Sequence, residues 1–254
     1  MVDECVTDTK RLAQWIADCR KAGTFAIDTE TTGLRVIQGH DEIVGVCLAV
    51  SPERGCYIPV LCRTGERHMG SQIVLKMLQP ILEDKKLLKI GHNLAFDIGV
   101  FKTYGVDVVN YDDTMLMSYA LDGQKDISRG HGFDALVKHY FNKETIRFND
   151  VVIPELGMKD FADVRLLHAT AYASEDARET LRLWRELGDK LEAEQTEAGG
   201  APGIEIDGDC ALSYSLLATY DVIDRPLARV TADMQYEGVK VDTDQLGFPD
   251  ATFK

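Results

Sequence analysis

The sequence predicts an α/β fold with a mixed sheet, three antiparallel strands followed by parallel additions, flanked by helices. Three observations carry this reading. Three short apolar runs at 24–28, 43–50 and 55–60 follow one another, separated by segments that carry Gly33, Gly39 and the Ser51–Pro52 turn signal. Such short connections suit antiparallel pairing. Next, the apolar run 87–91 and an extended stretch near 108–111 alternate with helical patterns, which favours parallel strands. From Thr114 onward the apolar spacing is mainly helical, so the second half supplies helices.

Each element has its own signal. Residues 7–23 read as a helix because Leu12, Trp15, Ile16 and Cys19 recur at helical spacing and Gly23 stops them. Helices are expected at 72–82 and from about Asn93 to Tyr104, then at 114–121, 133–141 and, as one long run, at about 164–194. A last helix is expected at roughly 212–236, before a short strand at 239–241. With 254 residues, 45% of them hydrophobic, the chain can bury one sizeable core. We therefore place one main domain at 1–195, a linker or mobile loop at 196–211 around Ala-Gly-Gly-Ala-Pro-Gly, and a helical C-terminal segment at 212–254.

Composition narrows the function classes. No apolar run of eighteen residues appears and the first ten residues are polar, so we expect a soluble, cytoplasmic protein without a membrane partner. The six cysteines show no C-x-x-C pair and read as reduced core thiols rather than a zinc site. A formal charge of −14 argues against a broad basic surface for nucleic acid. It is compatible with carboxylates that hold divalent cations, because the ions then meet the phosphate.

Carboxylates gather at three places. The strand Phe25-Ala26-Ile27-Asp28-Thr29-Glu30 ends in two acids at i and i+2, which face the same side. In Gly91-His92-Asn93-Leu94-Ala95-Phe96-Asp97, a helix beginning near Asn93 would put Asn93 and Asp97 one turn apart. Within the long helix, Tyr172 and Asp176 are again one turn apart. Each pattern alone is an ordinary strand end, helix cap or helix face. Together they supply the several oxygen ligands with which two divalent ions activate water and stabilise a leaving oxygen in phosphodiester cleavage.

These stretches, with Y-D-D-T-M-L at 111–116, the region 130–132 and A-Y-A-S-E-D-A-R-E-T-L-R-L at 171–183, resemble the 3′-5′ exonuclease domain of bacterial and phage family A DNA polymerases. That domain lies within the DEDD superfamily. The resemblance covers roughly 7–187 and continues in 220–242, which looks like the family's lead-in to a polymerase domain. It implies a ribonuclease H-like sheet and two divalent ions, Mg²⁺ or Mn²⁺, held by Asp28, Glu30, Asp97 and Asp176. Tyr172 matches the catalytic tyrosine. A sister group carries histidine where this chain has Ala171, so the tyrosine variant is indicated.

By the same resemblance, Thr29, Leu34, Asn93 and Phe148 would contact substrate, Leu34 as a wedge against the terminal base and Phe148 as a stacking aromatic. Without it, Leu34 and Phe148 would pass as core residues. Asp113 and His131 also sit in matching stretches, but read better as structural hydrogen-bonding residues. The implied activity is proofreading-type removal of nucleoside 5′-monophosphates from a single-stranded or frayed DNA 3′ end. By the resemblance, 212–254 is expected to hold a C-terminal helix and the start of a polymerase-type segment with the polymerase domain absent, and a polymerase domain or subunit is an expected partner. The alternatives are a 3′-5′ exoribonuclease and an inactive single-strand-binding module of a polymerase.

Overall fold

The computed structural model describes residues 2–123, 130–197, 204–206, 210–212 and 215–240. Its centre is a six-stranded sheet. In chain order the elements are β1 (Val2–Cys5), α1 (Thr9–Ala22), β2 (Thr24–Thr31), β3 (Ile43–Ser51), β4 (Arg54–Pro59), α2 (Ser71–Leu82), β5 (Leu88–Gly91), α3 (Leu94–Thr103) and β6 (Tyr111–Asp113). There follow α4 (Thr114–Asp122), α5 (Phe133–Phe141), α6 (Phe148–Val151), α7 (Leu166–Glu197), the short strands β7 (Ile204–Ile206) and β8 (Cys210–Leu212), then α8 (Leu216–Thr219) and α9 (Arg225–Glu237). The strand order is β1-β4-β3-β2-β5-β6. β2, β3 and β4 are antiparallel, and β5 and β6 add in parallel, as the sequence predicts.

One strand of this sheet escapes the sequence reading. β1 pairs in parallel with β4 at the edge of the sheet, although two of its four residues are acidic. Glu4 offsets this by accepting bonds from Arg11 and from Trp15 Nε1, so its charge is paired where the strand meets α1. α1 itself starts at the N-cap Asp8, whose side chain accepts from Arg11 N, and ends at Gly23 in the left-handed region, φ 73°.

Alternation along the strands separates two apolar layers. Phe25, Ile27, Val46, Leu48, Cys56 and Ile58 join Leu12 and Trp15 of α1, Leu78 of α2 and Phe101 of α3 on one side. On the other side Ala26, Cys47 and Ala49 meet Ala169, Ala173 and Ala177 of α7. Small residues on both surfaces let α7 lie close to the sheet. At Gly55 the approach is so tight that a Cβ would stand 2.9 Å from the carbonyl oxygen of Ser174. This proximity brings the polar edge of α7 over the end of β2.

The C-terminal part differs from expectation in two ways. The predicted 212–236 helix is instead α8, a π-helical turn at Tyr220–Asp224 and α9, and β7 and β8 form an antiparallel ladder within the predicted linker. Residues 198–203 and 207–209 of that linker lie outside the described residues, as does Val241 of the predicted 239–241 strand. Val239 and Lys240 are not strand. α9 packs on the main core through Ala228 and Ala232, while Tyr220 is buried and its hydroxyl donates to Asp112 Oδ1 at 3.0 Å. No helix among the described residues is long and apolar enough to cross a membrane.

Candidate active site

Asp28 and Glu30 stand at the C-terminal end of β2, where the register with β3 shifts between Glu30 and Thr31. Such bulges re-aim side chains and end pairing. The two carboxyl groups and the thiol of Cys47, which is paired opposite Asp28, have ligand atoms within 4.8 Å of one another. From the next β-α junction, Asp97 in the first turn of α3 accepts from Thr29 N at 3.0 Å and from Thr29 Oγ1 at 2.5 Å. From the opposite layer, Asp176 of α7 accepts from the Tyr172 hydroxyl one turn earlier.

The four acids lie within reach of one another's charge. Burial pushes the Asp28 carboxyl up to about 7, against the pull of the Thr29 N–H and the Cys47 thiol. Burial also raises Glu30, with the charges of Asp28, Asp176 and Asp97 adding to it. Asp97 and Asp176 rise for the same reason, each with Asp28 as the next contributor. Four mutually repelling carboxyls, with buried Glu30 Oε1 lacking any hydrogen-bond partner, suit hard divalent cations, which take oxygen ligands and remove the repulsion. Tyr172 is held protonated by burial and by the neighbouring acids, so it offers a hydroxyl rather than a phenolate.

Beside Thr29 and Glu30 opens a groove of about 490 Å³. Leu34 and Phe148 both line it, and they are 81% and 45% exposed, which corrects the core reading that their local sequence suggests. Leu34 is displayed by its loop: Asp41 accepts from Arg35 N at 2.8 Å and sits where a Cβ on Gly33 would be, 2.7 Å from its Oδ2. A larger residue at this position would push the Asp41 carboxylate aside. Phe148 stacks on Phe161, with ring centroids 6.3 Å apart, and Phe161 in turn lies 5.5 Å from Tyr172.

Asn93 departs from expectation. It is the N-cap of α3 in the left-handed region, φ 57°, not a helical residue, so the same-face argument with Asp97 does not apply. It is exposed, and no hydrogen bond among the described residues joins its side chain to the acids. Asp113 does what its structural reading says, accepting from the N–H groups of Asn93, Leu94, Met115 and Leu116 and so tying α3 to α4. His131 likewise bridges Ser118 and the carbonyl of Gly123. Three neighbours escape the sequence reading: Cys47, Phe161, and His92, which lines a cavity with Asp28, Tyr172 and Asp176. Cys47 becomes visible only through the β2–β3 register, and Phe161 and His92 carry no local signal.

The 3′-5′ exonuclease family matches residues 4–192. DNA polymerase I of Rhizobium leguminosarum is 33% identical, over 93% of this chain and 23% of that protein, and DNA polymerase I of Pseudomonas aeruginosa is 32% identical, over 96% and 25%. The chain thus spans about a quarter of the length of these relatives. Among solved structures, Escherichia coli RNase D, an exoribonuclease, superposes with a TM-score of 0.62 at 18% identity, over 94% of this chain and 52% of that one. Brucella melitensis NrnC with bound Mg²⁺ gives 0.55 at 18% identity, over 91% and 90%. At such identities these two speak for the fold, a ribonuclease H-like nuclease sheet. The chain belongs to the 3′-5′ exonuclease family, as an exonuclease domain of the DNA polymerase I type.

Proposed function

We propose that the chain removes nucleotides one at a time from the 3′ end of DNA, releasing nucleoside 5′-monophosphates, as a proofreading-type activity. The observation that carries this is the meeting of Asp28, Glu30, Asp97 and Asp176 beside a groove that exposes Leu34 and Phe148. Asp28 would serve both of two divalent ions, Glu30 and Asp176 the first, and Asp97 the second. When bound, such ions supply positive charge to the phosphodiester and lower the pKa of water. Mg²⁺ in NrnC favours that metal class.

The protein's own groups do the rest. Tyr172, kept neutral and bonded to Asp176, orients the attacking water together with Glu30. Thr29 fixes Asp97 through two hydrogen bonds. Leu34 and Phe148 hold the terminal bases, so that the last linkage reaches the acids. Water oxygen joins phosphorus, the P–O3′ bond breaks, and the shortened strand keeps a 3′-hydroxyl. DNA is favoured over RNA because the DNA polymerase I relatives are 32–33% identical, whereas RNase D is 18%.

The test uses single-stranded DNA and RNA of one sequence, labelled at the 5′ or 3′ end, with Mg²⁺, Mn²⁺ or EDTA. A 5′-labelled DNA ladder that shortens stepwise, with mononucleotide released from 3′-labelled DNA and no reaction in EDTA, is the expected result. Faster digestion of RNA would make the chain an exoribonuclease, and binding without cleavage would make it a single-strand-binding module.

A further inference from the structure

The segment between α5 and α6 carries Phe148 into the groove, and it is anchored to the helix that carries Tyr172 and Asp176. Two acids of α7, Glu175 and Glu179, are nearly buried, with side chains 10% and 5% exposed. Both accept from one cation: Lys143 Nζ lies 2.7 Å from Glu175 Oε1 and 2.8 Å from Glu179 Oε1. Glu175 does more than pair charge. Its other oxygen accepts from the main-chain N–H of Ile146 at 2.7 Å.

The consequences run in both directions along the segment. Two residues beyond Ile146, Phe148 opens α6, stacks on Phe161 and lies edge-on to Tyr172 at 6.5 Å. Before Ile146, Thr145 Oγ1 donates to Asp134 at 2.6 Å, and Asp134 lines the cavity shared with Asp28 and Asp176. A single carboxylate thus spans α7 and the main chain that sets the height of Phe148. Buried, charge-assisted bonds of this kind give a fixed geometry that an exposed ion pair does not.

We propose that Glu175 is a positioning residue for substrate: through Ile146 N–H and Lys143 it fixes the 142–147 segment on α7, and so places Phe148 against the 3′-terminal bases. The inference rests on the exonuclease reading for what Phe148 grips, but the clamp itself can be tested by binding alone. Glu175 touches neither substrate nor reacting atoms, and its loss acts through Phe148.

The test is a double-mutant cycle with Glu175→Ala, Phe148→Ala and the pair, each measured in two ways. One is the Kd for a fluorescent single-stranded DNA in EDTA, the other KM and kcat for cleavage with Mg²⁺. Glu175→Ala leaves the Lys143–Glu179 pair in place, so no unpaired lysine remains, and melting checks the fold. Each single variant should raise Kd and KM about tenfold, and the pair no more than Phe148→Ala alone, with kcat within about threefold. Glu175→Gln keeps an oxygen for Ile146 N–H and should recover most of the affinity. Multiplicative losses, or a fall in kcat at unchanged KM, would overturn the proposal. A wild-type protein that binds but does not cleave would refute the exonuclease reading, while the binding cycle would still decide the clamp. Loss of binding in wild type would refute both.

Discussion

The acid cluster and the groove beside it share the end of β2, yet they are held in different ways. Asp28, Glu30, Asp97 and Asp176 come from three elements rooted in the two apolar layers, and each carboxyl is raised by burial. Leu34 and Phe148 are presented from a loop and a one-turn helix, and both are largely apolar surface in contact with water. On the proposed function, the chemistry would rest on packing that the whole fold enforces, and the grip on substrate on local tethers: Asp41 at Gly33, Glu175 at Ile146. Loss of an acid should abolish catalysis with little effect on the fold, whereas loss of a groove residue should weaken binding and leave the chemistry.

The sharpest way to break this division is at the acids. Asp28→Ala or Asp176→Ala should lower cleavage by about 10³-fold or more, because a lost ligand removes charge stabilisation at the reacting phosphate. In EDTA the same variants should melt no lower than the wild type, since they relieve repulsion among buried carboxyls. Near-wild-type turnover, or a large fall in Tm, would show that the acids serve the fold instead. Tyr172→Phe removes only an orienting hydroxyl and should cost about 10²-fold in kcat. Losses equal to those of Asp28→Ala would place Tyr172 among the essential acids.

Much of this cluster is legible from spacing. A strand period of two puts Asp28 and Glu30 on one side, and the turn of a helix puts Tyr172 with Asp176. The sheet centre is equally legible, because β2, β3 and β5 are dense in apolar and β-branched residues. β1 is not, since half of it is acidic and its pairing depends on Arg11 and Trp15 of α1. Asn93 is misread by one residue: a left-handed N-cap and a first helical residue look alike in sequence. Leu34 and Phe148 look like core for a related reason, because sequence records hydrophobicity and not which side of a loop faces water. The resemblance, and not their pattern, singles them out.

A smaller effect sharpens the groove side of the comparison. Phe148→Ala should raise Kd and KM for single-stranded DNA about tenfold, within the 1–3 kcal/mol of one aromatic stack on a base, and without marked base preference. Binding measured with four homopolymers checks this. A strong preference for one base would mean that hydrogen bonds, not stacking, hold the terminal nucleotide.

The smallest effect concerns His92, which borders the acid side of the site. Burial lowers its imidazole to about 4, with His131 adding to the shift, while Nδ1 bonds Thr114 Oγ1 at 2.8 Å. An unfolded histidine titrates near 6.5. Above that pH both states are neutral and the contribution to stability is complete. As pH falls from 6.5 toward 4, the unfolded chain takes up a proton that the folded protein refuses, and the contribution is lost. Between pH 7.5 and 5.5 this amounts to about 1 kcal/mol. The acid cluster works in the opposite sense over the same range, because raised carboxyl pKa values favour the folded state as pH falls. The comparison that isolates His92 is therefore wild type against His92→Gln, by denaturant midpoint in EDTA at the two pH values. The wild type should lose about 1 kcal/mol more than the variant on acidification. Parallel curves would mean that the imidazole titrates alike in the folded and unfolded states, and that burial does not hold it neutral.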